Sequence, residues 1–349
     1  MPRRLLVTGA SGFVGSAVVR AFLDAGYRVR AFLRGSSPRE NLEGLEVEIA
    51  VGDLEDSASF APALAGCEGL VHVAADYRLF VPRPAPLYRA NVDGTRALMR
   101  AALAAGIERV VHTSSVAVLG HRRDGAAADE ETIGTLDEMT GHYKRSKFLA
   151  EEAVRELVGE GLPAVIVNPS APVGPRDVKP TPTGRMVLDA ASGRMFAYLE
   201  TALNVVHVDD VGRGHVLAYE RGQVGRRYVL GGEDLALAEL FASVTGLVGR
   251  KPPRLRLAPG TLLPYAAVAE MWARATGGVP RVTRDELVMA RRPMRFSSAR
   301  AERELGYAHR PTAAALADAV GWFVEKGRVR LPAGGASLLA PRRAASPRR

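Results

Sequence analysis

Cysteine is nearly absent from this sequence: Cys67 is the only one in 349 residues. A disulfide framework and a zinc site built from cysteines are therefore excluded. The chain also lacks any run of about 18 apolar residues, so no membrane-spanning helix is expected. Glycines interrupt the apolar run after Arg3-Arg4 and no small-residue cleavage site follows, which argues against a signal peptide. These absences lead us to expect a cytoplasmic protein.

Acidic residues are missing from the end of the chain, and this explains most of its positive charge. The net charge is +9, but six arginines and no acid lie beyond Gly327, and without them only +3 remains. No basic stripe is interleaved with aromatic residues, so no nucleic-acid partner is expected. Residues 327–349 consist mainly of Arg, Ala, Pro, Gly and Ser, a composition that cannot bury a core. We expect this basic tail to be disordered.

Two hydrolase signatures are also missing, since the chain has neither Gly-x-Ser-x-Gly nor His-Glu-x-x-His. One group, His207-Val208-Asp209-Asp210-Val211, has the composition of a metal site or a His/Asp pair. The alternative is that Asp209 caps a helix after a strand that ends at Val208, and this interpretation is favoured. We therefore expect no metal.

Glycine is concentrated in one loop near the N-terminus. Leu5-Leu6-Val7 predicts a short buried strand, and a helical pattern begins at Phe13. Between them, Gly9 permits a tight turn, Gly12 permits close approach of a pyrophosphate, and Gly15 permits packing of helix on strand. An ordinary glycine-rich turn is the alternative, but the position between strand and helix favours dinucleotide binding. No lysine follows Gly15, which excludes a phosphate loop of the nucleotide-hydrolase type.

Apolar runs alternate with helical patterns over the first half of the chain. This alternation predicts βαβ units and therefore an α/β fold, a doubly wound parallel (Rossmann) sheet with helices on both faces. Ligands of such sheets bind beyond the carboxyl ends of the strands. The predicted strands cover residues 5–7, 28–33, 47–51, 70–75, 109–113 and 164–167, and their ends place Gly12, Arg34, Asp53, Ala74 and Ser115 at one edge.

The alternation changes beyond Pro169, where proline and charged residues indicate a domain junction. We predict a dinucleotide-binding domain over residues 1–168, with residues 203–228 packing back onto it. Residues 169–202 and 229–326 are predicted to form a smaller, mostly helical substrate domain, and residues 327–349 the tail.

Tyr143 and Lys147 are four residues apart at the start of a predicted helix, which places them on one face. A phenol with a pKa of about 10 is a poor base, but a nearby ammonium favours the phenolate and lowers that pKa. Taken alone, the pair is more typical of a solvated helix surface than of a catalytic site. Ser115, at the end of a strand, adds a hydroxyl that can hold a substrate oxygen while Tyr143 exchanges a proton with it.

Six motifs follow one another along the chain: Thr8-Gly-x-x-Gly-x-x-Gly15, Asp53-Leu54, His72-Val-Ala-Ala75, Asn91-Val-x-Gly-Thr95, Thr113-Ser-Ser115 and Tyr143-x-x-x-Lys147. In this order and at these spacings, they resemble the motifs of extended short-chain dehydrogenases/reductases, the NAD-dependent epimerase/dehydratase family. The resemblance spans nearly the whole chain before the tail. Within that family the chain is most similar to hopanoid-associated sugar epimerases, which are themselves similar to dihydroflavonol reductases.

The resemblance implies roles for individual residues. Tyr143 would be the acid/base, Ser115 the partner of the substrate oxygen, and Lys147 the residue that binds the nicotinamide ribose and lowers the tyrosine pKa. Asn91 would lie near the site or serve helix packing, and Asn168 is given no role. The implied cofactor-binding residues are Gly9, Ser11, Gly12, Phe13, Val14, Gly15, Arg34, Asp53, Leu54, Ala74, Ala75, Tyr143, Lys147 and Pro169.

The second predicted strand ends in Leu33-Arg34 and carries no acid. An NAD site usually offers a carboxylate here for the ribose 2′-hydroxyl, whereas an arginine suits a 2′-phosphate. A surface arginine is the alternative. Arg34 therefore favours NADP over NAD as the cofactor.

Three functions are compatible with these residues. The first is a sugar-epimerase or dehydratase-like enzyme acting by hydride transfer at a secondary alcohol or ketone, with a link to hopanoid metabolism. The second is an NADPH-dependent carbonyl reductase of the dihydroflavonol-reductase type, and the third a non-catalytic NAD(P) sensor. The family segments span more residues than Arg34 alone and favour the first. The expected partner is a small molecule (a sugar, nucleotide sugar or other ketone or alcohol), and a homodimer is left open.

Overall fold

The computed structural model describes residues 3–122 and 124–332. Its strands are β1 (Arg4–Thr8), β2 (Arg28–Leu33), β3 (Val47–Val51), β4 (Gly69–His72), β5 (Arg109–Thr113), β6 (Ala164–Pro169), β7 (Ala171–Val173), β8 (Ala197–Leu199), β9 (Ala202–His207), β10 (Arg227–Leu230), β11 (Glu233–Ala236) and β12 (Leu255–Leu257). Its α-helices are α1 (Phe13–Asp24), α2 (Phe60–Leu64), α3 (Ala85–Tyr88), α4 (Gly94–Ala104), α5 (Gly141–Gly159), α6 (Pro182–Ala191), α7 (Val208–Arg221), α8 (Leu237–Leu247), α9 (Leu263–Thr276), α10 (Arg284–Ala290), α11 (Ala299–Leu305) and α12 (Thr312–Glu325).

Seven of these strands form one parallel sheet in the order β10-β6-β5-β4-β1-β2-β3. Alternate side chains of a strand point to opposite faces, so both faces of this sheet are apolar. Leu5 and Val7 belong to a core shared with α1, α7 and α11, whereas Leu6 belongs to a core shared with α2, α4 and α5. The predicted doubly wound α/β class is confirmed.

The chain returns to this sheet after β9. Helix α7 packs on α1 so closely that a Cβ on Gly212 would lie 2.6 Å from the carbonyl oxygen of Ala17. Strand β10 then pairs with β6 at the edge of the sheet. Strand β9 instead belongs to a separate three-stranded sheet, β11-β9-β7. The division into dinucleotide-binding and substrate domains stays a prediction.

The remaining elements surround a second apolar core, formed by α6, α8 and α12 against β7 and β9. The short strands β7, β8, β11 and β12 have no counterpart in the sequence prediction. Each is only three or four residues long, which is too short for a period of two to stand out.

The prediction that the disordered tail begins at Gly327 is wrong, because the residues directly after Gly327 pack on the fold. Gly327 adopts a positive φ of 67° and turns the chain back after α12. The amides of Arg328 and Val329 both donate to the carbonyl oxygen of Phe323, and the Val329 side chain is buried in the second core. The Arg328 guanidinium lies 5.7 Å from the centre of the Trp322 ring. Residues 333–349 of the predicted tail lie outside the described residues.

Two truncations test this boundary. Ending the chain after Lys326 removes Val329, whose burial stabilises the fold by about 2 kcal/mol. We expect a lower melting temperature for that variant, and an unchanged one when the chain ends after Pro332. Thermal unfolding followed by circular dichroism measures both, and equal melting temperatures would contradict the assignment of Val329 to the core.

Candidate active site

The glycine loop between β1 and α1 has no room for a side chain at Gly9 or at Gly15. Gly9 has a φ of 64°, and a Cβ there would lie 2.8 Å from the backbone of Ala74. A Cβ on Gly15 would lie 2.0 Å from the carbonyl oxygen of Gly9. Gly12 is the exposed N-cap of α1, and no side chain caps this end of the helix. The loop is therefore a cradle of backbone that fits a pyrophosphate at a helix N-terminus.

Ser11, Phe13 and Val14, the other predicted residues of this loop, are all half-buried. The Ser11 carbonyl oxygen accepts a hydrogen bond from the buried amide of Asn41 at 3.2 Å. The same amide donates to the carbonyl oxygen of Arg176 at 3.1 Å. Asn41 therefore ties the loop to the chain that follows β7.

His72, a buried histidine to which the sequence analysis gave no role of its own, fixes the ends of β1 and β4. The Nδ1 of His72 lies 2.8 Å from Thr8 Oγ1, and its Nε2 lies 2.9 Å from Thr95 Oγ1. Thr8 Oγ1 also accepts from the amides of Val73 and Ala74, at 3.1 Å each. Burial, reinforced by the charge of Lys147, lowers the pKa of His72 to about 3. His72 is thus a neutral crosslink at the predicted cofactor positions Ala74 and Ala75.

The structure brings together the three predicted catalytic residues. Ser115 follows β5, and its Oγ accepts from the amide of Ala117 at 3.1 Å. The Ser115 and Tyr143 side chains are hydrogen-bonded to each other. One helical turn after Tyr143, the buried Lys147 donates from Nζ to the carbonyl oxygen of Thr113 at 2.8 Å. The resulting group holds a hydroxyl, a phenol and an ammonium at the carboxyl end of β5.

The pKa of Tyr143 shifts opposite to the expectation. Burial raises it to about 12, because a low-dielectric surrounding disfavours the phenolate, and the hydrogen bond with Ser115 opposes this only in part. Burial also lowers the pKa of Lys147 to about 8, against the charge of Glu151. The expected lowering of the tyrosine pKa by Lys147 is therefore wrong for this structure, in which Lys147 bonds to Thr113 instead.

Asn168, which received no role from the sequence, lies beneath this group. Its Nδ2 donates to the carbonyl oxygen of Ser115 and to Glu151 Oε2, both at 3.0 Å. Glu151 is almost completely buried and also pairs with Arg227 at 3.3 Å. Asn168 therefore positions the Ser115 backbone and holds the carboxylate that faces Lys147. A polar residue in the otherwise apolar strand β6 is the signal that could have identified it.

Asn91 lies near the site and also contributes to helix packing, so the two alternatives considered for this residue both hold. It occupies a π-helical turn, Arg89–Asp93, that leads into α4. Its Oδ1 accepts from the amide of Asp76 at 2.7 Å, and its Nδ2 donates to Ser146 Oγ at 2.9 Å. Ser146 Oγ in turn donates to the carbonyl oxygen of Tyr143. The segment after Ala75 is thereby tied to the helix of Tyr143 and Lys147.

The remaining predicted cofactor residues lie at or just beyond the carboxyl ends of strands β2, β3 and β6. Arg34 is exposed directly after β2, and Asp53 and Leu54 are half-buried after β3. The backbone of Leu54 packs against Gly94, where a Cβ would lie 2.7 Å from its carbonyl oxygen. Pro169 is buried at the end of β6. All of these positions share one edge of the sheet with the glycine loop and with Ser115.

The predicted cap of α7 is displaced by two residues. His207, not Asp209, is the N-cap: the amide of Asp209 donates to His207 Nδ1 at 3.0 Å, and α7 begins at Val208. The Nε2 of His207 lies 3.1 Å from Asp318 Oδ2. Within residues 3–122 and 124–332, no group of three or more His, Cys, Asp or Glu side chains is placed to hold a metal ion.

None of the helices in the described part of the chain combines the length and the apolar character needed to cross a membrane.

Comparison with known proteins identifies relatives over nearly the whole chain. The model of the NAD dependent epimerase/dehydratase family matches residues 5–231. A Synechocystis sp. protein is 42% identical over 328 residues, which are 93% of this chain and 95% of the relative. Its name assigns it provisionally as a dihydroflavonol 4-reductase. Sterol demethylase protein B of Methylococcus capsulatus is 39% identical over 326 residues, 93% of this chain and 99% of the relative.

Solved structures match over the same extent. The crystal structure of gox2253 superimposes with a TM-score of 0.85 and 54% identity, over 93% of this chain and 99% of that one. The dTDP-glucose 4,6-dehydratase DesIV of Streptomyces venezuelae, solved with NAD bound, superimposes with a TM-score of 0.75 and 25% identity. The match covers 93% of this chain and 98% of that one.

Proposed function

Because the chain belongs to the NAD-dependent epimerase/dehydratase family, and is thus an extended short-chain dehydrogenase/reductase, we propose that it reduces a ketone to a secondary alcohol with NADPH at Ser115, Tyr143 and Lys147. The observation that carries the proposal is the group at the carboxyl end of β5, in which Tyr143 is hydrogen-bonded to Ser115 beside the buried Lys147. Burial raises the pKa of the Tyr143 phenol to about 12. A phenol that keeps its proton at neutral pH suits a general acid, which reduction requires.

Each part of the site has a separate task in this proposal. The backbone cradle at Gly9, Gly12 and Gly15 and the α1 N-terminus would hold the pyrophosphate. Lys147 would hold the nicotinamide ribose. Asp53 and Leu54 would contact the adenine, and Ala74, Ala75 and Pro169 the nicotinamide side. When bound, the dinucleotide would supply the hydride.

The proton path follows from the hydrogen bonds. The Ser115 hydroxyl holds the substrate oxygen, and Tyr143 donates its proton to that oxygen as negative charge develops on it. Asn168 keeps Ser115 in place through the backbone bond of 3.0 Å. The burial that raises the pKa of Tyr143 also strengthens these hydrogen bonds, because little water competes for them.

The competing proposal is an epimerase or dehydratase that takes a hydride and returns it. It is favoured by the likeness to the NAD-bound dehydratase structure. The reductase is favoured by relatives above 30% identity that are named reductases, including dihydroflavonol 4-reductase of Zea mays at 32% identity. A reductase must release oxidised cofactor in each cycle, whereas an epimerase gains from keeping it.

One experiment separates the two proposals. The purified protein is denatured, and the released nicotinamide is measured. The native protein is then supplied with NADPH and a panel of ketones, including sugars and nucleotide sugars. Cofactor-free protein that consumes NADPH in step with ketone supports the reductase. Stoichiometric bound cofactor, no net NADPH consumption and isotope exchange at a sugar carbon would overturn it in favour of the epimerase.

Arg34 is proposed to select NADPH by meeting the 2′-phosphate. Arg34→Asp removes that partner and adds repulsion, so we expect NADPH affinity to fall about 10-fold or more and NADH affinity to change little. Fluorescence titration with both cofactors measures the effect. Arg28→Asp is the matched control, because Arg28 is exposed at the opposite end of the same strand. Equal losses for both cofactors would contradict the 2′-phosphate contact.

A further inference from the structure

Helix α9 presents an apolar face to solvent. Its inner face is buried through Ala266, Glu270 and Ala273. Large apolar side chains lie on the other side at helical spacing, and an open groove runs between them and the chain after the helix. We call these residues the α9 apolar face: Tyr265, Val268, Met271 and Trp272, which are 52%, 60%, 64% and 72% exposed.

Uncompensated positive charge surrounds this face. Residues 251–295 contain nine Lys or Arg and three Asp or Glu. All three acids are engaged within the fold. Glu270 is buried between Arg274 and Arg284, Glu286 bonds to Thr283 at the start of α10, and Asp285 packs against Gly141.

Three arginines of the same segment have unpaired side chains in the described part of the chain. Arg281, Arg291 and Arg292 are exposed, and none of them has a hydrogen-bond or ion-pair partner there through its side chain. The sign of the local field is therefore set by guanidinium groups that face solvent.

Helices α9 and α10 also pack on segments that lead into the candidate active site. The Arg274 guanidinium lies 5.6 Å from the centre of the Phe80 ring, five residues after the predicted cofactor position Ala75. Asp285 lies against Gly141, two residues before Tyr143. A partner bound at the α9 apolar face is therefore close to the segments that lead into the candidate active site.

We propose that the α9 apolar face docks onto the surface of an anionic phospholipid bilayer. Tryptophan and tyrosine suit the boundary between headgroups and acyl chains, and Val268 and Met271 add apolar area to be buried there. Arg281, Arg291 and Arg292 attract lipid phosphates. A second copy of this chain is a poorer occupant, since its own α9 face would bring the same positive charges into contact.

Binding to vesicles tests the proposal without any use of activity. The full chain is sedimented with vesicles of phosphatidylcholine alone, or of equal parts phosphatidylcholine and phosphatidylglycerol. We expect binding to the anionic vesicles that weakens as salt is added, and much weaker binding to the neutral ones. Trp272→Ala should weaken the binding about 10-fold. The matched control is Ile133→Ser, which removes an apolar residue that is 77% exposed outside α9 and should change nothing.

Tryptophan fluorescence reports the docking directly. The chain has two tryptophans, and Trp322 is only 6% exposed. Anionic vesicles should therefore shift the emission of Trp272 to shorter wavelength. Trp272→Phe should retain binding but lose the shift, and it serves as the second variant if Trp272→Ala does not fold. Absence of vesicle binding, or binding unaffected by Trp272→Ala, would overturn the proposal. So would self-association that Trp272→Ala abolishes, because the face would then be an interface between copies.

Discussion

Tyr143→Phe is expected to lower turnover about 10² to 10⁴-fold while cofactor affinity stays unchanged. The substitution removes only the phenolic oxygen, which is hydrogen-bonded to Ser115. This oxygen carries the proton that Tyr143 is proposed to give to the substrate. The fold should be unaffected, since the ring remains. Single-turnover oxidation of NADPH with an accepted ketone, together with a fluorescence titration of NADPH, separates the two effects.

Tyr88→Phe is the control for Tyr143→Phe. Tyr88 loses the same atom, and its hydroxyl lies 3.2 Å from Nδ1 of the neighbouring His142, not against Ser115. Turnover of this variant should be close to that of the unmodified protein. Near-normal turnover in Tyr143→Phe would contradict the assignment of the proton donor.

Lys147→Ala is expected to lower both cofactor affinity and turnover. The ammonium is proposed to bind the ribose, and a hydrogen bond to a charged group contributes about 1.5–3 kcal/mol. The affinity for NADPH should therefore fall about 10 to 100-fold. Lys144→Ala is the control, because Lys144 is a buried lysine of the same helix without a proposed contact to the ribose. Equal NADPH affinity in Lys147→Ala and the unmodified protein would contradict the ribose contact.

The pH dependence of NADPH binding follows from the same residue. Burial holds the pKa of Lys147 at about 8, so the ammonium is present below that pH and is lost as the pH rises through it. Affinity for NADPH should fall over the same interval, and Lys147→Ala should abolish that dependence. Because Glu151 raises this pKa, Glu151→Gln should move the midpoint to lower pH.

The sequence by itself determined the features that depend on local periodicity. Three local patterns specified the parallel sheet and the edge at which the glycine loop lies. They are the Leu5–Val7 run, the glycines at 9, 12 and 15, and the alternation of strands with helices. The four-residue spacing of Tyr143 and Lys147 placed them on one helical face because α5 has 3.6 residues per turn. In the structure the Ser115 side chain interacts with that of Tyr143, whereas the Ser114 hydroxyl is buried without a hydrogen-bond partner among the described residues.

Only the tertiary structure decided what depends on residues distant in the chain. Burial set the pKa of Tyr143, although its sequence neighbours pointed the other way. Asn168 reached Ser115 across 53 residues, and Val329 entered a core whose members begin near residue 173. The exposure of the α9 apolar face was equally invisible, because an apolar helical pattern is the same whether neighbours cover it or not. Local patterns follow from backbone geometry, whereas burial and partners exist only once the whole chain has packed.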